Sequence, residues 1–318
     1  MTTTVRTLEA TADLHRTSDG TAVRSNRPTD WRIRQGRFGY LLVAPAVLGL
    51  LLFQLGPLLW ALTESMETFN PMTHRSNGFV GFSNFATVLG DPAFWQATRN
   101  TVLYGVVITA VEVPLALVIA VLLNAVVPGT RFARSAVIAA LAVSESVAAL
   151  LWFTILNQHT GLVNSFLGIL GIDNIPWLVS PHLSMVSVMV VSIWKDLGLP
   201  VLIFLAGLQA LDEDIYNAAS LDGAGPFRQF IHLTVPLLRR STMVATFMVV
   251  IAATRIFTPI LIMTAGGPKG ASSNLINYAY IQGFRNLDYG VGSAATVCLV
   301  LLLALATVIQ GLAIRERD

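Results

Sequence analysis

The chain has 318 residues, of which 54% are hydrophobic and 12% charged, with a mean hydropathy of +0.67 and a formal net charge of +2. Ordinary soluble domains carry about a quarter charged residues, so half the usual charge is missing, and long windows hold almost none. This excludes an ordinary water-soluble domain and makes the bilayer the solvent for most of the surface.

Taken in chain order, residues 1–37 are polar and rich in Thr, Ser and Arg, with arginines from Arg6 to Arg37 and no apolar run. They read as a disordered basic tail, and no short apolar core with a small-residue cleavage site follows, which excludes a signal peptide. Six apolar segments come next, at about 38–62, 100–123, 135–156, 183–208, 236–263 and 291–314. Each reaches the ~20 residues that a crossing needs at about 1.5 Å rise per residue. Backbone groups in lipid must bond within their own segment, so these are helices. The expected fold is an all-α integral membrane protein with six transmembrane helices.

Orientation follows the basic residues. With the tail in the cytoplasm, Arg131, Arg134, Arg228, Arg239, Arg240, Arg315 and Arg317 share that side, and both termini are cytoplasmic. The other side keeps Arg75, Arg99, Lys269 and Arg285. The first outer connection, to Arg99, carries Phe82, Phe85, Phe94 and Trp95 as expected interfacial aromatics. Cys298, the single cysteine, lies in an apolar run and reads as a packing or lipid-facing residue.

No phosphate-binding loop, H-E-x-x-H or paired C-x-x-C is present, and the five histidines are scattered, so neither nucleotide hydrolysis nor a metal cluster is indicated. The connection between spans four and five, residues 212–235, has its own pattern. Asp212, Glu213 and Asp214 suit the start of a short helix. Ala218 and Ala219 leave room for a close-packed surface, and Gly223 stops the helix. Gly225 and Pro226 restart a second one, with Phe227, Phe230 and Ile231 on an apolar face. The result is a cytoplasmic helix-turn-helix. By pattern alone it fits an interfacial hairpin capping the bundle as well as a docking element.

Five ionisable residues fall inside the apolar spans: Glu112, Glu145, Lys195, Asp196 and Arg255. Each costs about 2.5–3.5 kcal/mol at a helix centre, so such residues face a bundle interior, a cavity or a partner helix. Lys195 and Asp196 follow Trp194, an aromatic suited to stacking on a sugar face, and Gly198 and Pro200 loosen the helix beside them. As neighbours about 100° apart on a helix, Lys195 and Asp196 need not pair.

The spacing A-A-x-x-x-G-x(9)-L-x-V-P, from Ala218 to Pro236, resembles the EAA loop of binding-protein-dependent ABC importer permeases. "YNAASLDGAGPF", "FVGFSNF…DPAFWQATRNT", "LLWFTILN…GLVN", "IW…LG…LAGLQAL" and "MTAGGP" are similar to the maltose-type, carbohydrate-importing branch, in its first-permease, GGP-containing form. The resemblance covers the chain from about Phe38 onward. It implies a permease subunit in a bacterial cell membrane, paired with a second homologous permease. Two ATPase subunits and an extracytoplasmic solute-binding protein or lipoprotein would complete the complex. No cofactor belongs to this chain, with ATP and magnesium on the ATPases, and no nucleic acid is involved.

The resemblance further implies that Asn217, Ala218, Ala219, Asp222, Gly223, Ala224, Pro226, Phe227 and Pro236 couple to an ATPase. Asn217 stands where the motif has glutamate, and Asp212, Glu213 or Asp214 would have to supply that charge. It places Lys195, Asp196 and Leu199 on one wall of a substrate path and Val249, Ala252, Ala253 and Ile256 on the other, with Trp194, Thr254, Arg255 and Glu145 nearby. The second wall is apolar, unlike a maltose-like hydrogen-bonding pattern. A neutral sugar or polyol suits the near-balanced charge, and a glycerol phosphate or glycerophosphodiester is the alternative cargo. An ion-gradient transporter would show broken helices in inverted repeats and a complete ion site, and the sequence shows neither. A scaffold or intramembrane enzyme would leave the loop unexplained.

Overall fold

The computed structural model describes Tyr40, residues 42–70, 72–73, 75–125 and 129–315. The tail expected at residues 1–37 lies outside them. The described chain divides into two units, one ending at Pro57 and one beginning at Leu58. The first is the apolar N-terminal part of helix α1 (Leu42–Glu64), including a π turn at Leu51–Leu55. The second holds everything after it.

In the second unit, a two-stranded antiparallel hairpin, β1 (Glu67–Phe69) and β2 (Ser76–Phe79), precedes α2 (Ser83–Gly90). The buried Asn84 amide donates to the carbonyls of Ser65 (3.0 Å) and Glu67 (2.8 Å), tying α2 to the hairpin. Next comes α3 (Pro92–Asn124), which starts at Pro92 rather than at the expected Asn100. Asp91 explains the earlier start: its carboxylate accepts from the Ala93 amide at 2.8 Å, and Pro92 has the backbone angle a first turn needs. Phe94, expected at the interface, is therefore a buried residue of this helix, whereas Phe82 and Trp95 are exposed.

Among the described residues, three apolar helices are long enough to cross a membrane: α1, α3 and the last helix, α13 (Tyr289–Arg315). Three further candidate crossings are bent pairs, not single rods. The pair α4 (Thr130–Ala142) and α5 (Glu145–Ile155) turns by 103°, because Val143 and Ser144 are extended and the Ser144 hydroxyl caps α5 through the Val147 amide. The pair α7 (Ser184–Asp196) and α8 (Gly198–Gln209) bends by 44° at Leu197. Between these pairs lies α6 (Leu162–Ile169). After α9 (Glu213–Leu221), α10 (Pro226–Leu237) meets α11 (Arg239–Thr254) at 70°. The spans expected at 135–156, 183–208 and 236–263 thus fall on bent helix pairs. The last of these also breaks after Thr254, before a π turn at Ile260–Thr264.

The core joins α3, α8 and α11, with Tyr104, Ile108, Phe204, Leu205, Ala245 and Val249 among its members. Lipid supplies little hydrophobic drive between helices, so close van der Waals approach does the holding. Gly207 shows how close: an added Cβ would fall 2.2 Å from Ser241 Oγ and 2.9 Å from Leu238 Cδ2.

Side-chain amides hold the irregular segments. Asn100 Nδ2 reaches the carbonyls of Gly270 (3.0 Å) and Ser273 (2.8 Å), and Thr101 Oγ1 accepts from the Leu275 amide at 3.0 Å. These bonds seat the turn around Gly266 and Gly270 and the start of α12 (Leu275–Tyr280) on α3. The Tyr278 hydroxyl donates to Asp91 Oδ2 at 2.7 Å, and burial, then Asp91, push that phenol above its ordinary range. Asn164 donates to Gln158 O and Ile175 O at 2.9 Å each and accepts from the Trp177 indole, also at 2.9 Å. Asn164→Ala leaves several of these groups unmatched at a site only 3% exposed. The expected loss is roughly 2–3 kcal/mol, read as a lower thermal midpoint in detergent, and an unchanged midpoint would contradict this role.

Candidate functional site

One cavity of about 270 Å³ collects all five ionisable residues of the apolar segments. From α3 come Tyr104, Ile108 and Glu112, spaced i, i+4, i+8 and so stacked on one helix face. Glu145 enters from the first turn of α5, where the 103° break exposes the positive end of a helix to its carboxylate. From α7 come Ser192, Lys195 and Asp196. The end of α11 supplies Ala252 and Ala253, followed by Arg255 and Ile256. The breaks at Val143–Ser144, at Leu197 and after Thr254 therefore lie beside this cavity.

Lys195 and Asp196 do pair, Nζ to Oδ1 at 2.9 Å, with side chains 17% and 41% exposed. The helix ends at Asp196, and the flexible lysine stem closes the angular gap between neighbours. Arg255 is exposed and makes no ion pair with a described residue; it occupies the C-terminal cap of α11 rather than a helix interior. Glu112 is 3% exposed. The hydroxyls of Tyr104 and Ser192 are buried without a hydrogen-bond partner among the described residues. An unmatched buried hydroxyl costs about 1–3 kcal/mol, so a hydroxylated ligand or water in the cavity gains by supplying the partner. Among the described residues, no group of three or more His, Cys, Asp or Glu is arranged to hold a metal.

Other expected path residues stand elsewhere. Trp194 does not line the cavity; it meets Trp152 edge-on with ring centroids 5.6 Å apart. Leu199 is exposed, Val249 is core, and the Thr254 hydroxyl is bonded to Val250 O at 2.8 Å in its own helix. Reading the sequence by charge missed Tyr104, Ile108 and Ser192. The usable signal was the four-residue spacing of Tyr104 and Ile108 from Glu112.

The second candidate element is the helix-turn-helix. The Asp212 carboxylate accepts from the Asp214 amide at 3.0 Å and starts α9. Gly223 ends it with φ +77°, a conformation that a side chain disfavours. Gln229 Nε2 then donates to Ser220 Oγ and to Ala224 O, both at 2.9 Å, and Tyr216 Oη lies 3.0 Å from Thr234 Oγ1. These bonds fold the two helices onto each other. Asn217, Ala218, Asp222, Pro226, Phe227 and Pro236 are left exposed, while Ala219 and Ala224 are half-buried. At the turn, Leu221 is 90% and Phe227 76% exposed, an apolar pair on either side of Gly223.

Comparisons with known proteins show the family. Residues 85–316 match the family described as binding-protein-dependent transport system inner membrane component. The trehalose/maltose transport system permease protein MalF of Thermococcus litoralis is 33% identical over 289 residues, covering 90% of this chain and 96% of the relative. The sn-glycerol-3-phosphate transport system permease protein UgpA of Salmonella typhi is 34% identical over 292 residues, with 90% and 96% covered. A crystal structure of a bacterial ABC transporter involved in import of the acidic polysaccharide alginate shares the fold, with TM-score 0.80 at 20% identity over 90% of this chain and 98% of that one.

The family match and these relatives make this largely helical, apolar chain a membrane permease. This chain belongs to the binding-protein-dependent transport system inner membrane component family.

Proposed function

We propose that this protein is one permease subunit of an ATP-driven importer for a sugar or related polyol. Its six crossings leave both termini in the cytoplasm, and the charged cavity is the solute path. The observation that carries the reading is the convergence of Glu112, Glu145, Lys195, Asp196 and Arg255 with two unmatched hydroxyls on one cavity. The named relatives handle trehalose/maltose and sn-glycerol-3-phosphate, so polyol cargo of either kind is in keeping.

A second homologous permease would complete the path, and an extracytoplasmic solute-binding protein would deliver the cargo. A bacterial alginate ABC transporter was likewise crystallised in complex with an alginate pentasaccharide-bound periplasmic protein. Two separate ATPase subunits would bind ATP and magnesium, and this chain would hold no cofactor. The helix-turn-helix docks on one ATPase, with Leu221 and Phe227 as apolar contacts. Glu213 lies four residues before Asn217, on the same face of α9, which makes it the best placed acid to replace the motif's missing charge.

The test is purification of the tagged chain from its native membrane, followed by reconstitution in proteoliposomes. An ATPase and a second permease should co-purify, and sugar with its binding protein should stimulate ATP hydrolysis. A chain that purifies alone and moves solute under an ion gradient would refute the reading.

A further inference from the structure

A second cavity, of about 440 Å³, is built from different residues. Glu64, the last residue of α1, lies on one side, and the π turn Ile281–Arg285 and the first turns of α13 lie on the other. Its walls are aromatic. Phe257 meets Tyr280 edge-on at 5.2 Å between centroids, Tyr280 stacks with Phe284 at 5.5 Å, and Tyr289 completes the lining. Gly283 and Gly292 keep the remaining wall at backbone thickness: an added Cβ on Gly292 would fall 2.7 Å from Gly283 N.

Glu64 is the single charged residue of the lining, and it is held in place at both oxygens. Trp60 Nε1 donates to Oε1 at 2.7 Å and Ser293 Oγ to Oε2 at 3.1 Å. It has no ion pair with any described residue. Of the four hydroxyls in the lining, Ser293 donates to Glu64 and Thr296 to Gly292 O at 3.0 Å, and the other two belong to the rings of Tyr280 and Tyr289. The lining thus sets a held carboxylate among aromatic rings, the chemistry that recognises an organic cation.

We propose that this cavity binds an ammonium group, quaternary or protonated, on a small ligand or on a lipid headgroup. The inference stands apart from the solute path, because the two cavities share no lining residue.

Choline and its uncharged isostere 3,3-dimethylbutan-1-ol test it, by calorimetry on the full chain in phosphatidylglycerol nanodiscs. Choline should bind saturably and at least about tenfold more tightly than the isostere. Glu64→Gln and Tyr280→Leu should each weaken choline several-fold. Repeating the titration in phosphatidylcholine nanodiscs separates the sources. An unchanged choline affinity assigns the site to a soluble ligand, and a lowered one to the headgroup. Absent choline binding in phosphatidylglycerol, equal binding of the isostere, or full affinity in both variants overturns the proposal.

Discussion

Lys195→Ala is expected to lower ligand-stimulated transport at least about tenfold, equivalent to about 1.4 kcal/mol, while the complex still assembles. The substitution removes one of two cations from a cavity that holds three carboxylates. Asp196, now 2.9 Å from nothing, would face Glu112 and Glu145 with Arg255 as the remaining base. Breaking a fully buried ion pair costs about 3–5 kcal/mol. Here Asp196 keeps 41% exposure, so solvent screening holds the folding cost nearer the ~1 kcal/mol of surface pairs. The effect on transport should therefore exceed the effect on stability. Uptake in proteoliposomes, beside the thermal midpoint of the same preparation, separates the two, and wild-type uptake would remove Lys195 from the path.

Gly223→Val should uncouple ATP hydrolysis from solute, with stimulation falling several-fold. An added Cβ meets nothing within 4 Å, so crowding is not the cause. The cause is the φ of +77°, which costs a side chain about 1–2 kcal/mol and a β-branched one more. The chain would relax by opening the turn, moving Leu221 away from Phe227. Asparagine tolerates this conformation better, so stimulation should rank Gly, then Asn, then Ala, then Val. A flat series would show that the turn's geometry is not used.

Much of this was legible in the sequence, and the remainder has physical reasons. Hydropathy located the apolar segments that form α1, α3 and α13, and punctuation located the helix-turn-helix, because Asp212, Gly223 and Pro226 each act on their own backbone. The 103° bend was not legible. Val143 and Ser144 add the same hydropathy to a kinked span as to a straight one, and the cap bond that turns the chain depends on its conformation. Charge drew attention to Lys195, Asp196 and Arg255, because an ionised group in lipid demands an explanation. Tyr104 drew none, since an aromatic ring on an apolar helix is ordinary packing until its hydroxyl is found without a partner. Trp194 erred the other way: stacking chemistry is visible in the residue type, but its direction is set by Trp152 on another helix.

The 70° joint between α10 and α11 has a mechanical meaning. Leu238, 1% exposed, is clamped in the core at that joint. The twelve residues from Pro226 to Leu237 form an arm about 18 Å long at ~1.5 Å per residue. Turned by about 10° around Leu238, its far tip sweeps roughly 3 Å, while atoms near the pivot shift by less than a bond length. A stroke of that size at the Gly223 turn, carried rigidly through the joint, would move Arg255 by a comparable distance, since Arg255 lies sixteen residues along the rod that begins at Arg239.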